Sequence, residues 1–67
     1  MEVDRNRLRA LRAQRVLTLG ELSNESGVTL NTIWRIESGY NKSARPSTIR
    51  KLASALGVEP SELVKSG

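Results

Sequence analysis

The 67-residue sequence contains no cysteine, which excludes a disulfide framework and a thiolate metal site. It contains no histidine either, so the commonest metal ligand and the commonest general base are both missing. No apolar run is longer than a few residues, too short to span a membrane. The opening MEVDRNRLR lacks the apolar core of a signal peptide. A cytoplasmic location is expected by default. Without histidine, cysteine or a carboxylate pair in a recognisable cleft, no nucleophile, general base, metal or cofactor site suggests itself, and an enzyme is not expected. Serines and threonines stand where helix caps belong, and bonding to backbone N–H accounts for them. A chain this short is one domain, taken here as residues 1–67.

Positive charge is what the sequence does have: 11 Lys and Arg against 7 Asp and Glu, a net +4. Arg5, Arg7, Arg9, Arg12 and Arg15 crowd the first segment, and Lys42, Arg45, Arg50 and Lys51 a later one. Between them Glu21, Glu25 and Glu37 face Arg35 alone. Basic clusters flanking a near-neutral centre suggest a polyanion held from both sides, although a solvated basic surface has the same composition.

The segmentation reads as five short helices with no strand-period alternation and no internal repeat. Asp4 caps a helix over residues 5–14, with Leu8 and Leu11 inward. Thr18 and Glu21 have capping-box spacing and open a helix over 19–25 that stops at Gly27. Thr29 caps a third over 30–38, ended by Gly39. The gap from Ser26 to Thr29 fits the tight turn of a helix-turn-helix. Tyr40–Arg45 reads as polar loop. Pro46 starts a helix over 46–56 whose Ile49, Leu52, Ala53 and Leu56 form an apolar stripe, and Pro60 opens a short fifth over 60–65 with Leu63 and Val64 inward.

On a helical wheel of about 100° per residue, Ile33 and Ile36 share one side of the third helix, which Val28 joins. Leu30, Asn31, Trp34, Arg35 and Ser38 occupy the opposite arc. Trp34, the only tryptophan, is therefore outward. Packing against another helix or a dimer partner would explain it. Its place between Asn31 and Arg35 fits a surface that enters the DNA major groove better. There Asn pairs with adenine, Arg with guanine, and apolar side chains meet a thymine methyl.

The run LTLGELSNESGVTLNTIWRIESG resembles the helix-turn-helix of the Cro/C1-type (XRE) family of transcriptional regulators, the lambda-repressor-like DNA-binding domains. The resemblance is carried by Thr18, Glu21, Leu22, Gly27, Val28, Thr29, Ile33, Ile36, Glu37 and Gly39, and by the tail RKLASALGV. It implies an all-α, compact five-helix domain that binds double-stranded DNA as a repressor. By this likeness Leu30, Asn31, Trp34 and Arg35 fall on base-reading positions. Thr18, Thr29, Ser38, Tyr40, Asn41, Lys42 and Arg45 fall on phosphate-contacting ones, and Arg12 and Glu37 on a structural ion pair. Relatives pair through the C-terminal region, here near Leu63 and Val64, which implies a homodimer on an inverted repeat. An end at VKSG is also what a truncated domain would show, with an effector or oligomerisation domain beyond it.

The sequence departs from the family pattern in three places. Leu19 stands where relatives carry a phosphate-contacting Gln, with Gly20 beside it, and Val16 stands where Gly is usual. The Tyr40–Arg45 loop is also longer than in the most compact relatives. An alternative function is a protein-interaction module on the same scaffold, an antitoxin or adaptor anchored by Leu19, Leu30 and Trp34.

Overall fold

The computed structural model describes residues 1–65. Helix α1 (Arg5–Gln14) is opened by the Asp4 carboxylate, which accepts from the Arg7 N–H at 3.1 Å. Helix α2 (Leu19–Ser26) begins with a reciprocal capping box. The Glu21 N–H donates to Thr18 Oγ1 at 3.1 Å, and the Thr18 N–H donates to the Glu21 carboxylate at 2.9 Å. Gly27, left-handed at φ +76°, stops it. Thr29 caps α3 (Leu30–Glu37), and Pro46 starts α4 (Pro46–Leu56), which ends at left-handed Gly57. No helix among the described residues is long and apolar enough to cross a membrane.

The core is built where the apolar stripes converge. Leu8, Leu22, Ile33, Ile36, Ile49, Leu52 and Leu63 are its largest fully buried side chains. Helix α2 packs against both α3 and α4, while α1 packs on α3. This arrangement pins the inner face of α3 from two sides and leaves its outer face to solvent.

The C-terminal expectation is corrected. The fifth helix is a single 3-10 turn, Pro60–Leu63, and the chain then extends, with Val64 at φ −103° and ψ 133°. The cause is long-range pairing with the N-terminal segment. Val3 and Val64 form an antiparallel bridge, as do Glu2 and Ser43. The Val3 N–H donates to the Lys42 carbonyl at 2.9 Å, Asp4 N–H to Leu63 at 2.8 Å, Ala44 N–H to Met1 at 2.9 Å and Lys65 N–H to Glu2 at 3.0 Å. Residues 1–4 thus lie between the 42–44 loop and the end of the described chain. Val3, only 6 % exposed, belongs to the core. Bridges one residue long carry no alternation, so periodicity cannot reveal them. Smaller shifts occur at two ends: α2 includes Ser26, and Ser38 is the C-cap of α3 rather than part of it.

Candidate nucleic-acid interface

The turn between α2 and α3 is tied by side chains as well as by Gly27. Ser23 Oγ donates to the Val28 carbonyl at 2.6 Å, and Ser26 Oγ accepts from the Val28 N–H at 3.2 Å. With Val28, Ile33 and Ile36 buried, the rotation of α3 about its axis is set. Leu30 and Trp34 are then about half exposed, at 49 % and 50 %, and Asn31 and Arg35 are exposed beside them. All four expected base-reading positions share one outward face. Leu30 leans over Gly20, where a Cβ would sit 3.8 Å from its Cδ1. Leu19 is partly buried against the core, so its departure from Gln serves packing.

The expected phosphate-contacting residues are spread around this face. The Thr18 and Thr29 hydroxyls each accept from the first turn of their own helix. Ser38 is exposed, but its hydroxyl donates to the Arg35 carbonyl at 3.2 Å and accepts from the Tyr40 N–H at 3.4 Å. It is therefore already engaged in the turn that leaves α3. Tyr40 is exposed, and Arg35 Cζ lies 5.6 Å from the centroid of its ring. Asn41 is half-buried, its N–H bonded to the Arg35 carbonyl at 3.0 Å. Lys42 and Arg45 are exposed. Arg45 lines an open cleft of about 660 Å³ with Thr32, Asn41, Ser43 and Thr48, between α3 and the start of α4.

Arg12 and Glu37 form the expected pair. Arg12 Nε donates to Glu37 Oε2 at 2.7 Å and Nη2 to Oε1 at 2.9 Å, while Nη1 donates to the Leu17 carbonyl at 2.6 Å. The Glu37 hydrogen bond raises the Arg12 pKa above its ordinary value, with burial opposing and the Glu37 charge adding. This fork ties α1 to the last turn of α3.

Of the five arginines in the first segment, four lie within reach of a carboxylate and only Arg5 is outside an ion pair. Arg7 pairs with Glu62, Arg9 and Arg12 with Glu37, and Arg15 with Glu25. They connect α1 to the rest of the molecule. Among the described residues, the Lys and Arg side chains outside any ion pair are Arg5, Arg35, Lys42, Arg45, Arg50 and Lys51. Arg5 belongs to the basic cluster of the first segment but not to the expected contact residues. Its guanidinium donates to the Ser38 carbonyl at 3.0 Å and lies across Gly39, where a Cβ would overlap it. It thereby adds a free cation to the end of α3. Only the left-handed glycine at Gly39, φ +84°, hinted at so close an approach.

Residues 5–65 match the model of a family described as a helix-turn-helix domain. Over 58 residues, 87 % of this chain, the sequence is 47 % identical to the HTH-type transcriptional repressor RghR of Bacillus subtilis (strain 168). Over 51 residues, 76 % of this chain, it is 45 % identical to the uncharacterized HTH-type transcriptional regulator RghRB of the same organism. The chain spans 43 % and 37 % of the lengths of these relatives. The restriction-modification controller protein C.AhdI from Aeromonas hydrophila superposes with a TM-score of 0.80 at 34 % identity, covering 87 % of this chain and 86 % of that one. A hydroxyethylphosphonate dioxygenase mutant superposes with a TM-score of 0.85 at 27 % identity, over all of this chain and 14 % of the enzyme. Family model, sequence relatives and fold agree, and the chain belongs to the helix-turn-helix domain family.

Proposed function

We propose that the chain binds double-stranded DNA sequence-specifically as a transcriptional regulator of the cytoplasm, acting as a repressor, with α3 in the major groove. One observation carries this reading. Leu30, Asn31, Trp34 and Arg35 form a single outward face on a helix whose opposite face is fully buried, and the free cations Arg5, Lys42 and Arg45 lie around its end. Asn31 and Arg35 supply bidentate base contacts, and Leu30 and Trp34 meet thymine methyls. Thr18 and Thr29, at helix N-termini, and the loop residues Asn41, Lys42 and Arg45 hold phosphates. Ser38, whose N–H donates to the Trp34 carbonyl and whose hydroxyl donates to the Arg35 carbonyl, shapes the turn and holds no phosphate itself.

One recognition helix reads only a few base pairs, so a homodimer on an inverted repeat is part of the proposal. Leu63 is fully buried and cannot meet a partner, which corrects the expected contact. The C-terminal surface that remains is a groove of about 420 Å³ lined by Met1, Pro46, Ile49, Pro60 and Val64. Selection of bound sequences from a random DNA pool at moderate salt tests both points. An enriched inverted repeat supports them, an enriched lone half-site removes the dimer, and no enrichment at any salt removes DNA binding.

The half exposure of Leu30 and Trp34 favours a second reading, a protein-interaction module anchored by that apolar patch. Salt separates the two. DNA affinity falls steeply as salt rises because counterions are released on binding, whereas an apolar protein contact changes little.

A further inference from the structure

Arg35 carries an uncommitted guanidinium on the outer face of α3: it makes no ion pair among the described residues. A long side chain of this kind has a large rotamer entropy, and bidentate pairing to a base edge requires its plane to be held. The neighbour able to hold it is Tyr40. The chain reverses at Gly39, φ +84°, and two hydrogen bonds fold the loop back onto the Arg35 carbonyl, from the Asn41 N–H at 3.0 Å and from Ser38 Oγ at 3.2 Å. That reversal brings the Tyr40 ring beneath the guanidinium, 5.6 Å from centroid to Cζ. Tyr40 remains 74 % exposed, so burial does not account for an aromatic residue here. Its hydroxyl makes no hydrogen bond among the described residues.

We propose that Tyr40 is a positioning residue for base recognition: its ring orients the Arg35 guanidinium and so sets how strictly one base of each half-site is read. This rests on the DNA-binding reading above and replaces the phosphate contact expected of the Tyr40 hydroxyl. A cation over an aromatic face at an exposed site is worth a factor of about two to five in an equilibrium constant. The ring supplies this and the hydroxyl does not.

The test compares the wild type with Tyr40→Phe and Tyr40→Leu by sequence selection and by NMR of the free proteins. Tyr40→Phe should keep affinity, base preferences and the upfield ring-current shift of the Arg35 Hδ protons. Tyr40→Leu should lose that shift, weaken site binding about two- to fivefold, and loosen preference at the one base that Arg35→Ala also loosens. The dependence on salt should not change, because no phosphate contact is lost. Equal loss in Tyr40→Phe would assign the effect to the hydroxyl and overturn the proposal. An unshifted Arg35 in the wild type would do the same. An enriched wild-type site with an identical Tyr40→Leu profile sinks this proposal alone, whereas a wild type that enriches nothing sinks the DNA reading and this with it.

Discussion

Val16 stands at φ +55°, a left-handed conformation in which a β-branched side chain crowds its own backbone. The hydrogen bonds around it explain why it stays there. The Val16 N–H donates to Ala13 and the Leu17 N–H to Arg12, the same pattern that Gly57 and Val58 make with Ser54 and Ala53. This is a Schellman ending, for which glycine is the usual residue, with valine in the glycine position. The side chain is 84 % exposed, so removing it sacrifices little packing. Val16→Gly should therefore stabilise the domain by about 1 kcal/mol, and thermal melting should show a midpoint several degrees higher. At the same scale, Glu37→Ala leaves the Arg12 fork facing a pocket without its partner. A loss of about 2–3 kcal/mol is expected, and an unchanged melt would rule out a structural role for the pair.

At the scale of elements, α3 divides its labour between two faces. Ile33 and Ile36 hold it down, and Trp34 has half its surface free. Trp34→Ala should then weaken binding to a selected DNA site while the melting midpoint stays close to that of the wild type. A collapse of the fold would show that the tryptophan is a packing residue. Because it is the only tryptophan, its fluorescence should also change when that DNA is added. The loop after α3 makes a different prediction. Lys42 has an exposed side chain outside any ion pair, while its carbonyl anchors Val3. Lys42→Ala should leave the loop in place, weaken binding to all sequences alike, and reduce the slope of log affinity against log salt by about one.

At the scale of the molecule, the two ends of the described chain are joined to each other and to the loop beside α3. Arg7 in α1 reaches Glu62 in the 3-10 turn at 2.7 Å. That hydrogen bond, with a second from the Glu59 N–H, holds the Glu62 carboxyl below the usual glutamate range. A carboxylate with a depressed folded-state pKa stabilises the fold above its ordinary pKa, and the contribution fades as pH falls through the lower folded value. Wild type should accordingly melt above Glu62→Gln at neutral pH, and the two midpoints should converge in acid. A constant gap at every pH would show that the carboxylate charge is not involved.

The helices were legible in the sequence because their signals are local. Asp4, Thr18 and Thr29 cap; Gly27 and Gly57 stop; Ile49, Leu52, Ala53 and Leu56 recur at helical spacing. The outward set Leu30, Asn31, Trp34 and Arg35 follows from the same arithmetic, since a helix with one apolar side has only one way to face a core. The ion pair of Arg12 with Glu37 came from family likeness, not from spacing. What only the tertiary structure decided depends on groups far apart in the chain. The N-terminal clasp, the extension after Leu63, the engagement of the α1 arginines and the approach of Arg5 to Gly39 all join segments from separate parts of the sequence. A charge count cannot tell a cation facing solvent from one facing a carboxylate across the fold. Helix type and facing are written in short windows of sequence, whereas which charges remain free of a carboxylate partner is settled only by what packing brings within reach.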